Sequence, residues 1–379
     1  MPLDPFIQIR RELHQIPEIG LKETATQAYL LNTIRKLGIT EPQIKRWRTG
    51  ILVKLPGTSP EKIVAWRTDI DGLPVEEETG AAFHSLHPGQ MHACGHDFHM
   101  AIALGLLKYF TLHPPKDDLL FLFQPAEENE AGGMLFYQDH GFGEELPDEI
   151  YALHVNPELP AGVISTHIGT MCAGTCEVKI RFTGREGHAA YPHLANDMIV
   201  AASAFIQQVQ TIVSRNVDPL KSAVVTFGSL HAGKTNNVIS GTAELFGTIR
   251  TLDDQTNQLT QKRVQEIARG VAESFACEVE IDLKQQGYLP VTNDPATTQA
   301  FLTFLQAHPE IPFQDVPPTM TGEDFGYLLH QIPGTFFWLG VDSPYPLHSA
   351  HFAPKEAAIP QALRVFSQFL TTRANGKRP

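Results

Sequence analysis

The stretch Met91-His92-Ala93-Cys94-Gly95-His96-Asp97-Phe98-His99 gathers a thiol, imidazoles and a carboxylate into a few positions. Such groups, at a strand-to-helix passage, can converge on a borderline-soft cation such as Zn²⁺, Mn²⁺ or Co²⁺. The plainer alternative is a buried free cysteine beside ordinary helical histidines. Cys94 and His96 alone do not complete a coordination sphere, so further ligands must come from elsewhere. Glu127 and Glu128 in Gln124-Pro125-Ala126-Glu127-Glu128 follow the apolar run Leu119 to Phe123, where the carboxyl end of a buried strand would present them. Adjacent side chains of extended backbone point opposite ways, which lets one carboxylate bind metal while its neighbour faces solvent or substrate. With Glu130 following, a solvated acidic loop is the competing account. His154 closes the run Ile150-Tyr151-Ala152-Leu153, and His348 and His351 lie close together in Leu347-His348-Ser349-Ala350-His351-Phe352. Each is a ligand candidate or a structural hydrogen-bonder. Asp69 and Asp71 end another strand and are placed to orient a ligating imidazole, or else form an Asx turn before Gly72.

These groups need elements to hold them. Asp4-Pro5 opens a helix that stops before Pro17, and Thr24 to Leu37 reads as a second, ended by Gly38. Strands are expected over 43–55 and 62–67, separated by Pro56-Gly57, then a helix over His96–Leu112 and buried strands over Asp118–Gln124 and 149–154. Apolar strands alternating with helices imply an α/β layer fold with a mostly parallel sheet. The middle third differs: strand 175–183, helix 196–214, strands 222–231 and 242–251, helix 255–275 and strand 278–286 spell β-α-β-β-α-β, a ferredoxin-like unit. The expected organisation is therefore a catalytic domain of residues 1–172 and 291–379, with residues 173–290 inserted as a lid or dimerisation domain. After the insertion, helix-strand alternation resumes from Pro295, and the polar tail past Thr372 is expected to fray. Within the inserted unit, His188 in Gly187-His188-Ala189-Ala190 could bond a developing oxyanion. Asn237 and Arg250 could offer an amide and a guanidinium to a substrate carboxylate, or be an ordinary turn and an exposed strand charge.

Composition narrows the partners. Against 42 Asp plus Glu there are 29 Lys plus Arg, and the net charge of -13 would repel a phosphate backbone, so nucleic acid is excluded. No apolar run approaches the roughly 20 residues that span a bilayer, so no membrane partner is expected. Four cysteines in 379 residues make no disulfide framework and fit a reducing compartment. The start Met1-Pro2-Leu3-Asp4-Pro5 lacks the order of an export signal, and a cytoplasmic location is expected.

Taken in order, Leu13-His14-Gln15-Ile16-Pro17-Glu18, Arg67-Thr68-Asp69-Ile70-Asp71-Gly72-Leu73-Pro74, Cys94-Gly95-His96-Asp97, Pro125-Ala126-Glu127-Glu128, Gly187-His188-Ala189-Ala190, Thr321-Gly322-Glu323-Asp324-Phe325 and Leu347-His348-Ser349 give the chain a family likeness. It resembles the dinuclear metallohydrolases of the aminoacylase and carboxypeptidase superfamily, in the amidohydrolase branch that holds hippurate and indole-acetyl-amino-acid hydrolases. Arg46 to Ile51, Asn216 to Leu220 and Glu323 to Tyr327 bring it nearest to members that take acetate from N-acetylated diaminopimelate on the way to lysine. The resemblance implies two divalent metal ions (Zn, Mn, Co or Ni) held by Cys94, His96, Glu128, His154 and His348. It also implies Glu127 as general base, Asp69 as orienting carboxylate and His188 as oxyanion donor. A small-molecule N-acyl amino acid as substrate and a homodimer formed through the insertion follow from it too. A broader N-acyl-amino-acid amidohydrolase and a non-catalytic metal-binding scaffold are the alternatives. Two departures stand out: Asn129-Glu130-Ala131-Gly132-Gly133 replaces a Gly-Pro-Gly-Gly-like stretch, and Arg67 stands where exopeptidase branches carry a metal-binding histidine.

Overall fold

A computed structural model describes residues 4–144 and 146–376, and its chain divides into two compact units. The first comprises residues up to Met171, Val291–Pro317 and Asp324 onward; the second is Cys172–Pro290 with Pro318–Glu323. In the first unit, seven strands form one sheet. In spatial order they are Ile44–Trp47, Gly50–Leu55, Asp118–Gln124, Ile63–Asp69, Glu149–Asn156, Gly334–Gly340 and Ile164–Ser165. The four strands from Asp118–Gln124 to Gly334–Gly340 run parallel, and the outer pairings are antiparallel. Asp118–Gln124 and Gly334–Gly340 are buried along their whole length, the near-continuous apolar pattern of strands covered on both faces. The single strand expected over 43–55 is a hairpin instead. Its strands turn at Arg48-Thr49, with Arg48 at φ +50°, between the register partners Trp47 and Gly50.

Parallel register decides where chemistry can collect. Asp69 pairs with Gln124, and Arg67 with Ala152, so Asp69, the Glu127-Glu128 pair and His154 leave the sheet at one edge. The helix His96–Leu112 starts at that edge and is buried on nearly every side, as its apolar composition requires. Pro5–His14 and Ala358–Asn375 pack against it. That last helix continues past the frayed tail expected after Thr372. Arg373 is bonded to Glu149, and Asn375 Oδ1 accepts from Lys116 N at 2.8 Å. Residues 1–3 and 377–379 lie outside the described residues, so the start of the chain and its last three positions are left aside.

The second unit has the β-α-β-β-α-β order, with its four strands arranged Ala223–Ala232, Thr242–Thr251, Gly174–Thr183 and Glu278–Lys284, all antiparallel. The strand Gly174–Thr183 alternates buried and exposed, placing Cys176, Val178, Ile180 and Phe182 against the two helices. The helix expected over 196–214 is two, Met198–Val209 and Thr211–Arg215, parted at Gln210.

Candidate metal centre

Five side chains of the first unit turn their ligating atoms toward one another. Cys94 Sγ lies 3.3 Å from Nε2 of His154 and 3.3 Å from Nε2 of His348. Glu128 Oε1 lies 3.4 Å from His348 Nε2 and 3.8 Å from His96 Nε2. Cys94, His96 and His154 form one group of converging ligand atoms, and Cys94, Glu128 and His348 form another. The thiol is common to both.

Hydrogen bonds on the far side of the rings fix which nitrogen faces inward. His96 Nδ1 donates to the Asp71 carbonyl at 2.9 Å, and His154 Nδ1 donates to the Val155 carbonyl at 2.8 Å. Nε2 is therefore the nitrogen each ring turns to the cluster, the atom through which a metal would be held. His96 Nε2 and Glu128 Oε1 are buried without a hydrogen-bond partner, a costly arrangement that a cation would relieve.

Charge points the same way. Burial holds the Cys94 thiol far above its ordinary pKa, and the carboxylates of Glu128, Glu127 and Asp69 add to it, so a thiolate forms there only beside a strong positive charge. Burial lowers His154 to about 3, with His99 contributing, which keeps its imidazole neutral and able to ligate. For His96, burial is overcome by Asp69, Asp71 and Glu128, and its pKa rises to about 10: the surrounding carboxylates favour a positive charge at Nε2, one that a divalent cation would supply in place of the proton. The donor set suits a divalent cation: soft and borderline ligands, ring nitrogens turned inward and excess negative charge.

Around this centre Asp69 and Arg67 are joined by partners to which the sequence assigned no role, His99, Gln124 and Asp324. Asp69, fully buried, accepts from His99 Nδ1 at 2.5 Å and from Arg67 Nη1 at 2.6 Å; it stands 3.8 Å from His96 Nε2. Arg67 also donates to Gln124 Oε1 at 2.9 Å and to Asp324 Oδ1 at 2.7 Å, so this arginine holds three polar side chains together. His99 accepts the Val155 amide on Nε2 at 3.0 Å, and with both nitrogens committed it supports Asp69 rather than a cation. The only hint in the sequence was the spacing His96-x-x-His99, one helical turn. His351 stays out of the cluster and bonds Glu78 instead.

Glu127 is 5% exposed, its ligand atom groups with those of His96 and Glu128, and its Oε1 accepts from the Asp324 amide at 3.3 Å. Ala126 sits at φ +57° and Ala131 at φ +51°, marking the loop that carries both glutamates as held by its surroundings. Gly132 permits the loop to close: a Cβ there would fall 1.7 Å from the Pro125 carbonyl oxygen.

Glu23 tethers this loop. Its Oε1 accepts the Ala126 amide at 2.9 Å and its Oε2 the Thr49 hydroxyl at 2.6 Å. Burial, aided by the Asp71 charge, raises its pKa from 4.5 to about 7. The folded pKa exceeds the unfolded one, so this stabilising contribution is complete below about pH 4.5 and is lost as pH rises through 7. Glu23→Gln, which keeps an acceptor for Ala126, is expected to gain stability over the parent at pH 8, by at most roughly 3 kcal/mol, and little at pH 4.5. Thermal melts of both proteins at the two pH values test this; an equal gain at both would contradict it.

The second unit holds the other three expected residues. His188 and Asn237 are exposed neighbours on a small ribbon, where His188 pairs with Val238 and the Ala189 amide donates to the Asn237 carbonyl at 3.1 Å. The Ala190 amide donates to His188 Nδ1 at 3.0 Å, which leaves the ring proton on Nε2. Arg250, on Thr242–Thr251, donates from Nη1 to the Met320 carbonyl at 2.8 Å.

Residues 65–372 match the model of peptidase family M20/M25/M40. The chain is 59% identical over 372 residues to a protein of Enterococcus faecalis named N-acetyldiaminopimelate deacetylase, covering 98% of each. It is likewise 59% identical to one of the same name from Streptococcus sanguinis, covering 98% of this chain and 99% of that protein. Among solved structures, an aminohydrolase described as putative, from methicillin-resistant Staphylococcus aureus, superposes with a TM-score of 0.88 at 30% identity, covering 97% of this chain and 95% of that one. A dinuclear metal-binding peptidase of the M20 family from Bacillus subtilis gives 0.84 at 28% identity, covering 97% of both chains.

Proposed function

Since the chain belongs to peptidase family M20/M25/M40, a family of metal-dependent hydrolases, we propose that it hydrolyses the amide of N-acetyl-diaminopimelate, releasing acetate and free diaminopimelate. The observation that carries this reading is the sharing of Cys94 Sγ between two ligand groups, one with His96 and His154 and the other with Glu128 and His348. Those five residues are assigned to two divalent cations. When bound, such cations lower the pKa of water and polarise an acyl oxygen.

The chain's own groups do the rest. Glu127, at the edge of the ligand cluster and shielded from bulk water, takes the proton of the attacking water on its carboxylate and returns it to the leaving amine. Asp69, gripped by Arg67 and His99, provides a fixed negative charge beside His96. His188 keeps its proton on Nε2, and that N–H is the donor assigned to the tetrahedral oxyanion, a role typically worth about 3 kcal/mol. Asn237 and Arg250 are assigned to the charged amino-acid end of the substrate, with the free Nη2 face of the guanidinium as the contact.

The relatives' printed names support the acetyl substrate. The test is a panel of acetylated and benzoylated amino acids with released amine measured. Fastest turnover of N-acetyl-diaminopimelate is expected; faster turnover of benzoyl amino acids would transfer the assignment to a broader N-acyl-amino-acid amidohydrolase. A homodimer through the second unit belongs to the same proposal. Its ten-residue edge strand Ala223–Ala232 and the exposed Leu220 and Leu230 invite a second copy, and light scattering showing only monomer at micromolar concentration would remove it. No described helix is long and apolar enough to cross a membrane, and the four free cysteines suit the reducing cytoplasm, where we place the enzyme.

A further inference from the structure

Four of the five assigned ligands lie in or next to the sheet edge and are largely buried. His348 differs: its side chain is 54% exposed, it sits on an irregular loop, and its backbone is in the left-handed region at φ +63°. A bulky residue in that conformation stays there only when its surroundings over-determine it. On one side the determinant is plain, since the His348 amide donates to the Ala93 carbonyl at 2.9 Å. The other side is held from a distance.

Residues 74–90 form a closed loop whose ends are pinned by mutual bonds between Leu73 and Met91, at 2.9 and 3.0 Å. Three consecutive glutamates give it shape. Glu76 accepts the Gly89 amide across the loop at 2.7 Å. Glu77 turns inward, accepting the Ser85 amide at 2.7 Å and pairing with His14 Nε2 at 3.2 Å, while His14 Nδ1 meets the buried Asp97 at 2.7 Å. Glu78 turns outward and grips the His348 loop: its amide donates to the Ala350 carbonyl at 2.9 Å, its carbonyl accepts from His351 Nδ1 at 3.0 Å, and its carboxylate lies 3.3 Å from His351 Nε2. The first helix thus reaches the exposed ligand through Glu77, Glu78 and His351.

We infer that His351 is a positioning residue: by bonding the Glu78 carbonyl it clamps the loop that holds His348 toward Cys94 and Glu128, and so sets how tightly the cation on that side is retained. The inference rests on the assignment of His348 as a ligand made above. It predicts an asymmetric defect. Loss of the clamp frees one ligand of the Cys94, Glu128 and His348 group and leaves the Cys94, His96 and His154 group untouched.

The experiment compares zinc release from the full-length, zinc-loaded parent, His351→Ala and His351→Asn to a chromogenic chelator, with thermal melts run alongside. Asparagine is chosen because its side-chain N–H can replace the Nδ1 donor. Expected are two release phases in the parent, one of them at least tenfold faster in His351→Ala, the other unchanged, and near-parental release in His351→Asn with similar melting temperatures throughout. Parental release from His351→Ala, acceleration of both phases together, or no recovery in His351→Asn would each overturn the clamp. If the parent itself binds no zinc, the metal-centre reading falls first and the clamp with it; two tightly held zinc ions in parent and His351→Ala alike sink the clamp alone.

Discussion

Glu127→Gln is expected to cut acetate release about a thousandfold while leaving two metal equivalents per chain. The magnitude is that of a lost general base, typically 10²- to 10⁴-fold. Glutamine keeps the size of the side chain and an oxygen to accept the Asp324 amide, so the loop carrying both glutamates retains its bonding. What it loses is the ability to hold a proton between the attack of water and the departure of the amine. The assay is steady-state acetate release with elemental analysis of the same preparation. A rise in KM with kcat unchanged would mean that Glu127 binds substrate without moving a proton, and parental kinetics would remove it from the reaction.

Cys94→Ser carries the second large effect, and it is read in metal before it is read in rate. Because the thiol belongs to both ligand groups, its replacement is expected to weaken both sites together. The loss should exceed the roughly 10- to 100-fold that follows removal of a supporting outer contact. Serine fills nearly the same space but is a far poorer anion at neutral pH, so a positive charge gains little from it. Equilibrium dialysis against a competing chelator provides the measurement. Retention of both equivalents at parental affinity would show that Cys94 ligates neither ion. Loss of one alone would show that it serves a single site.

The contrast between those two variants reflects what a linear sequence can and cannot disclose. Cys94, His96 and the Glu127-Glu128 pair could be singled out as candidates because they stand near element boundaries set by local pattern, where an apolar run ends and a polar group follows, whereas His154 lies inside the strand Glu149–Asn156 and His348 on an irregular loop, and the family likeness carried their assignment. The inserted β-α-β-β-α-β order was legible from local pattern as well, since alternation in Gly174–Thr183 and Thr242–Thr251 follows the pleat. The hairpin turn at Arg48-Thr49 escaped because neither residue is a strong turn former, and tertiary placement of both strands outweighed local preference. Partners distant in the chain escaped altogether. Nothing near Arg67 announces Asp324, and nothing near His14 announces Asp97 or Glu77; those pairs exist only once the sheet and the first helix are in place.

The corner built by Arg67, Asp69, Gln124 and Asp324 has a consequence for how this chain can vary. Its guanidinium and both carboxylates are sealed from water, so trimming any one of them strands an opposite charge in a medium that solvates it poorly. Replacement of Arg67 alone strands two carboxylates, so paired replacement of Arg67 and Asp324 by neutral groups of similar bulk should be gentler than the change at Arg67 made singly. A change at position 67 is accordingly tied to Asp69, Gln124 and Asp324 at once.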